Sequence, residues 1–141
     1  MKNIFFSFLI LLSGMLIQSC GSSTENKEQA AEKQAYGQAK AEVYYFHGDR
    51  RCPTCNAIEE LAKSFVLETY KDNSDVKFFA INFDKKENKD IAEKFGAQWS
   101  SLFIASGDKK LDLTIEAFQY VKSDPDYLKG EIKDIIDGFL K

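Results

Sequence analysis

The sequence predicts an α/β fold in which a mixed four-stranded sheet lies between two layers of helices, a three-layer α/β/α arrangement. Two observations support this prediction. Short runs rich in aromatic and β-branched residues alternate with longer runs of helical periodicity, and turn and capping signals separate them. The resulting order is β-α-β-α-β-β-α over residues 41–141, a region of roughly 100 residues that can bury one core.

The first half of this region contains two strand–helix units. Residues 42–47 are rich in aromatic and β-branched side chains, and residues 76–83 form a nearly continuous apolar run of strand length. The helix predicted over residues 90–95 ends at Gly96, a typical helix terminator. The helix predicted over residues 53–70 rests on the spacing of the side chains along one face, which are Ile58, Leu61, Ala62, Phe65 and Thr69.

The second half begins with a predicted hairpin. Residues 101–106 and 109–114 have strand character, and Gly107-Asp108 supplies the turn between them. A final helix is predicted from about residue 126, after the start signal Ser123-Asp124-Pro125. Its buried face is predicted to consist of Leu128, Ile132, Ile135 and Phe139.

The segment between the hairpin and the final helix is ambiguous. Ile115, Phe118 and Val121 could line a short helix, whereas residues 114–120 could equally extend the preceding strand. We favour the helix. The whole order then implies a parallel strand pair joined by a right-handed crossover, an antiparallel hairpin at the edge, and helices on both faces of the sheet.

The first 19 residues are expected to be a signal peptide. An apolar run over residues 4–17 is too short to span a bilayer comfortably, and Ile17-Gln18-Ser19-Cys20 resembles the lipobox of bacterial lipoproteins. Cleavage before Cys20 would leave that cysteine to carry lipid and attach the protein to a membrane of the bacterial cell envelope, facing the periplasm or the cell surface. A membrane-spanning N-terminal anchor is the alternative.

Composition separates a tether from the folded domain. Residues 20–40 are expected to comprise the lipidated cysteine and a flexible polar tether, because this stretch lacks large aliphatic side chains, and the domain is expected over residues 41–141. The chain has 19 Lys and Arg residues against 22 Asp and Glu residues, a net charge of −3. Nucleic-acid binding is not expected, since it requires a basic excess.

The most informative motif is Cys52-Pro53-Thr54-Cys55, which follows the first predicted strand and opens the first predicted helix. Unpaired N–H groups and the positive end of the dipole at a helix start stabilise a thiolate, the nucleophile in disulfide exchange. A disulfide across so short a loop removes little entropy from the unfolded chain, so a chemical role explains it better than a stabilising one. Arg50 and Arg51 are expected to stabilise the thiolate further.

The strand, the Cys-x-x-Cys helix start, the βαβ unit, the hairpin and the terminal helix together resemble the thioredoxin-like superfamily over residues 41–141. The resemblance implies a thiol–disulfide oxidoreductase in which Cys52 is the exposed attacking thiol and Cys55 is the more buried resolving thiol. It also implies that the loop before the hairpin faces Cys52. The residues expected to bind substrate are Pro53, Thr54, Trp99, Ser100 and Ser101.

Three positions depart from the pattern of that superfamily. Arg51 stands where the family has a tryptophan before the first cysteine, and Phe46 stands where its buried, proton-transferring acid falls. Ser101 replaces the proline of the family's cis-proline loop, so the Ser100–Ser101 peptide bond is expected to be trans. These departures argue against a housekeeping thioredoxin but leave the exchange chemistry intact.

The resemblance implies partners among envelope proteins that bear thiols or disulfides, together with an upstream electron donor. No cofactor and no metal are expected, and the protein is expected to be a monomer. Because no histidine lies between the cysteines, a reducing or mildly poised protein is favoured over a strongly oxidising one.

Alternative interpretations of the motif remain open. The pair could be an inert short disulfide on a non-catalytic, thioredoxin-fold binding module. It could also bind zinc or copper(I), but His47 is the one histidine of the chain, so a complete site would require a second chain. Trp99 could contact a partner, but a single tryptophan in a small domain more often packs in the core or at its rim.

Overall fold

A computed structural model describes residues 36–141 of the chain. Within these residues, strands and α-helices alternate until the hairpin, and two helices follow it. A short 3-10 helix, Lys86–Asn88, precedes the second α-helix. In chain order the elements are β1 Ala41–His47, α1 Pro53–Thr69, β2 Val76–Asn82, α2 Lys89–Phe95, β3 Ser101–Ser106, β4 Lys109–Asp112, α3 Thr114–Tyr120 and α4 Pro125–Leu140.

The four strands form one mixed sheet in the order β2-β1-β3-β4. β1 and β2 are parallel and are joined through α1, whereas β3 is antiparallel to β1 and β4 is antiparallel to β3. The predicted fold class is therefore confirmed, as is the order of elements up to the hairpin. The ambiguous segment after the hairpin is the helix α3, so two helices follow the hairpin where the predicted order had one. The strand predicted over residues 109–114 is shorter, because Thr114 already begins α3.

The two faces of the sheet bury separate cores. Val43 and Tyr45 of β1 pack toward α1, α3 and α4 in one cluster, whereas Tyr44 and Phe46 pack toward α2 in the other. All four of these side chains are at most 2 % exposed. Because successive side chains of a strand point to opposite faces, the central strand contributes to both cores and has an almost continuous apolar sequence.

The buried faces of α1 and α4 differ from the predicted ones. Thr69 was expected on the buried face of α1 but is exposed, because the innermost residues recur at every fourth position. In α4, Ile135 and Phe139 are only partly buried and Ile136 lies deeper. The innermost rows are Ile58, Ala62 and Val66 in α1 and Leu128, Ile132 and Ile136 in α4.

Glu42 is a charged residue buried in β1, with 3 % exposure. Its carboxylate accepts hydrogen bonds of 2.8 to 3.1 Å from the backbone N–H groups of Gly37, Gln38 and Ala39. The hydroxyl of Tyr44 also donates to it. Charge-assisted hydrogen bonds of this kind offset the cost of burying a carboxylate, so Glu42 fixes the segment that leads into the sheet.

Residues 36–40 pack against the domain, although their composition placed them in the tether. Besides the bonds to Glu42, the ring of Tyr36 lies 5.2 Å from the ring of Phe79 and 6.0 Å from that of Tyr44. The packed unit therefore begins before Ala41.

The predictions for the N-terminal part of the chain concern residues before Tyr36. The signal peptide over residues 1–19, the lipidated Cys20 and the tether up to residue 35 lie outside the described residues. No helix within residues 36–141 is long and apolar enough to cross a membrane.

Substituting Glu42 should destabilise the domain. In Glu42→Ala, the Tyr44 hydroxyl and several backbone N–H groups lose their acceptor, so we expect the free energy of unfolding to fall by about 3 kcal/mol. Glu42→Gln keeps one acceptor oxygen and should cost about 1 kcal/mol. Urea unfolding of both variants measures the difference, and equal stability of Glu42→Ala and wild type would contradict the assigned role.

Candidate redox site

The two cysteines of the motif form a disulfide at the start of α1. Cys52 is the N-cap residue, and its Sγ accepts a hydrogen bond of 3.0 Å from the backbone N–H of Cys55. Pro53 follows at the first helical position, where a missing N–H needs no partner. Cys52 is exposed, whereas Cys55, one turn further on, is 7 % exposed. The predicted pairing is confirmed, with one cysteine open to solvent and the other beneath it.

Tyr45 is the side chain of β1 that supports the start of α1. Its hydroxyl donates a hydrogen bond of 2.7 Å to the backbone carbonyl of Cys55. Phe46, the position aligned with the family's buried acid, instead faces α2 and packs on Phe95 and Phe103. The residue that the cysteine alignment places under the motif therefore lies on the face of β1 that is turned away from α1. Sequence reasoning missed Tyr45, although the alternation along β1 could have found it.

Burial raises the pKa of Tyr45 above its ordinary value of 10.0, while the Ser100 side chain and the Arg51 guanidinium act in the opposite direction. The phenol therefore stays protonated at neutral pH and acts as a hydrogen-bond donor. A tyrosine in this state cannot accept a proton from Cys55 as a carboxylate would.

Arg50 and Arg51 differ in their surroundings. Arg50 is exposed. Arg51 forms an ion pair with Glu59 of α1, and its guanidinium carbon lies 5.9 Å from the centre of the Tyr45 ring. The charge nearest to the disulfide in sequence is thus partly offset by a carboxylate.

The loop between β1 and α1 is fixed by hydrogen bonds to the end of β2. Asp49 donates its backbone N–H to Asp84 at 2.7 Å and accepts from the Asn82 amide at 2.7 Å. Gly48 leaves the room for this contact, because a Cβ there would lie 2.9 Å from the Asp84 carboxylate. The loop therefore reaches Cys52 along a defined path.

His47 closes β1 and is half-buried. Its Nδ1 lies 3.1 Å from the carbonyl oxygen of Gly48, to which it donates, and its ring stacks on Tyr45. Burial lowers the pKa of His47 below its usual 6.5, so the ring is neutral at neutral pH. In the part of the chain that the structure describes, no group of three or more His, Cys, Asp or Glu side chains could hold a metal ion.

The residues predicted to bind substrate lie at several depths. Pro53 is exposed and Thr54 is half-buried on the first turn of α1. Trp99 is 65 % exposed, and Ser101 is 3 % exposed with its hydroxyl donating to the Trp99 carbonyl at 2.8 Å. The Ser101 side chain thus lies under the surface and supports the loop. Residues 36–141 contain no cis peptide bond, so the Ser100–Ser101 bond is trans as predicted.

An open apolar groove of about 720 Å³ runs beside the disulfide. Cys55 lies at one side of it, and Trp99 and Ser100 come from the loop before β3. Helix α3 forms the other wall. The lining residues from this helix are Thr114, Ile115, Phe118 and Gln119.

The orientation of α3 explains why the groove is apolar. Ile115 and Phe118, two of the residues predicted to line its buried face, are 77 % and 41 % exposed. The face that packs on the core instead carries Leu113, Ala117 and Val121, which recur at every fourth position. The ambiguity of this segment in the sequence was itself a signal, because it has more apolar residues than one buried face requires.

No protein-family model matches the chain, and no curated protein matches it. Among solved structures, thioredoxin O2 from Arabidopsis thaliana in the oxidised state is 20 % identical, with a TM-score of 0.44 over 67 % of this chain and 73 % of that one. Trxlp from Edwardsiella tarda EIB202 is 19 % identical, with a TM-score of 0.46 over 67 % and 82 %.

A third similar structure is the zinc-bound form of human ERp44, which is 17 % identical. The match covers 62 % of this chain and 27 % of that one, with a TM-score of 0.42. The strand order, the crossover helix that joins the parallel pair and the Cys52–Cys55 disulfide at the start of that helix define this domain as a thioredoxin-like fold.

Proposed function

We propose that this protein exchanges thiols and disulfides with other proteins, with Cys52 as the nucleophile and Cys55 as the resolving thiol. The observation that carries the proposal is the unequal exposure of two bonded cysteines at a helix start. Only an exposed sulfur can reach the disulfide of a macromolecular partner. A second sulfur next to it is then needed to break the mixed disulfide and release the partner.

The reaction balances in two steps. The Cys52 thiolate attacks a partner disulfide, forms a mixed disulfide and releases one partner sulfur as a thiolate. The Cys55 thiolate then attacks Cys52, closes the Cys52–Cys55 bond and releases the second partner sulfur. Two electrons pass to the partner, and an upstream dithiol donor must reduce the protein again.

The structure at the start of α1 supports a stable Cys52 thiolate. The Cys55 N–H already donates to the Cys52 sulfur in the disulfide state, and the positive end of the helix dipole lies at the same point. A disulfide that only stabilised the start of α1 would not require an exposed sulfur beside an open groove. The two residues between the cysteines are Pro53 and Thr54, and neither is a histidine. This supports a reducing direction of exchange.

The proposed location is the bacterial cell envelope, with the domain held at a membrane by lipid on Cys20. The support is the apolar run and the lipobox-like Ile17-Gln18-Ser19-Cys20. A disulfide-based reaction also suits an exported protein, because disulfides persist in such compartments. The partners would then be envelope proteins with reducible disulfides.

Insulin reduction by dithiothreitol tests the proposed exchange. Wild type should accelerate it, Cys52→Ser should not, and Cys20→Ser should behave as wild type because it keeps the reactive pair. In Cys55→Ser, the second step is blocked and partners should accumulate as mixed disulfides. Equal rates for wild type and Cys52→Ser would leave the binding-module interpretation in place.

The groove beside Cys55 should contribute to binding of the polypeptide substrate. Trp99→Ala removes its most exposed aromatic side chain, and we expect kcat/KM for insulin reduction to fall about tenfold. Leu67→Ala is the matched control, since Leu67 is 54 % exposed on α1 but does not line the groove. A similar effect of both substitutions would show that the groove has no specific role.

Labelling with radioactive palmitate in a bacterial host tests the anchor. The full chain should incorporate label and sediment with membranes, whereas Cys20→Ser should lose the label. A wild-type protein that is membrane-bound but carries no label would instead indicate a spanning N-terminal segment.

A further inference from the structure

Arg51 and Glu59 form an ion pair, and the two cysteines lie between them in the sequence. Arg51 immediately precedes Cys52, and Glu59 follows Cys55 by four residues, on the same side of α1. Their side chains are 28 % and 18 % exposed. Both side chains are partly covered, so their charges interact somewhat more strongly than those of a fully exposed pair.

Tyr45 connects the pair to the backbone of the redox motif. The Arg51 guanidinium lies over the ring of Tyr45, whose hydroxyl donates to the Cys55 carbonyl at 2.7 Å. A chain of contacts therefore links the Glu59 carboxylate, the guanidinium, the phenol and the second cysteine. The position of the guanidinium is set from two sides, by the carboxylate and by the ring.

We propose that Glu59 controls how readily Cys52 becomes a thiolate by neutralising the charge of Arg51. An unpaired guanidinium near the start of α1 would favour a negative sulfur, and a carboxylate paired with it reduces that effect. The inference rests on the proposed function in one respect, that the Cys52 thiolate is the reactive species. In this view Arg51 and Glu59 are positioning and tuning residues with opposite effects.

The other ionisable groups around the helix start do not replace this pair. Burial keeps Tyr45 protonated and keeps His47 neutral at neutral pH. Asp49 pairs with Lys85 at 3.5 Å and bonds to Asn82. Arg50 is exposed, so solvent screens its charge.

The test is the equilibrium between the protein disulfide and glutathione. Two reduced glutathione molecules supply two electrons, the Cys52–Cys55 bond breaks, and one glutathione disulfide forms. A more stable Cys52 thiolate favours the reduced protein and shifts this equilibrium toward it. Mass spectrometry of the tryptic peptide that holds both cysteines measures the reduced fraction in the full chain, independently of Cys20.

The two charge-removing variants should act in opposite directions. In Glu59→Gln, the equilibrium constant for reduction should rise about fivefold, and iodoacetamide should alkylate Cys52 at lower pH than in wild type. In Arg51→Gln, the constant should fall and alkylation should need a higher pH. Arg51→Lys keeps the charge and should stay near wild type, and the double variant should also return toward it.

Glu60→Gln and Lys63→Gln are the matched controls, because each removes one charge of the same sign from an exposed residue of α1. They should leave both readouts within about twofold of wild type. Shifts in the same direction for Glu59→Gln and Arg51→Gln would indicate a structural role and overturn the proposal, as would the absence of any shift. Neither measurement needs a protein substrate, so a failure here differs from a failure of insulin reduction.

Discussion

The two-sided burial of β1 is the constraint on which the rest of the structure depends. The strand lies between β2 and β3, so its alternate side chains must fill both cores. Tyr44 and Phe46 enter the aromatic cluster under α2, whereas Tyr45 enters the cluster under α1. The same alternation delivers one hydroxyl to the carbonyl of Cys55. A shift of one residue in register would exchange these faces and remove that support.

The site combines parts that are fixed in different ways. The loop before Cys52 is tied to the end of β2 through Asp49, and Cys55 is held from below by Tyr45. The groove beside them depends on α3, which presents Ile115 and Phe118 outward because Ala117 already fills the core. A rigid support under the disulfide and an apolar surface beside it are what the proposed exchange with other polypeptides would require.

Much of the fold could be predicted from the sequence, because period-2 and period-3.6 patterns and the capping residues are local signals. The helix start at Pro53 and the stop at Gly96, which is left-handed with φ of 68°, agree with those signals. The depth of individual side chains was less predictable. Thr69, Ile115 and Ile135 occupy the correct helices but not the expected faces, since the innermost row depends on how each helix packs.

The candidate site shows the same division between local and non-local information. The cysteine pair is visible in four consecutive residues, whereas Tyr45 and Glu59 join it only through the crossing of β1 and α1. The burial of Glu42 could not be read from the sequence either, because its donors come from a loop with no regular pattern. Buried polar groups reflect tertiary partners, and such partners leave no periodic trace.

The bonds to Glu42 also fix the end of the domain at which the chain enters it. They hold the incoming chain at the first end of β1, whereas the disulfide follows the last residue of that strand, His47. Seven residues of extended backbone separate these poles by about 20 Å. The exposed Cys52 therefore lies at the opposite pole of the domain from the segment through which the chain enters it.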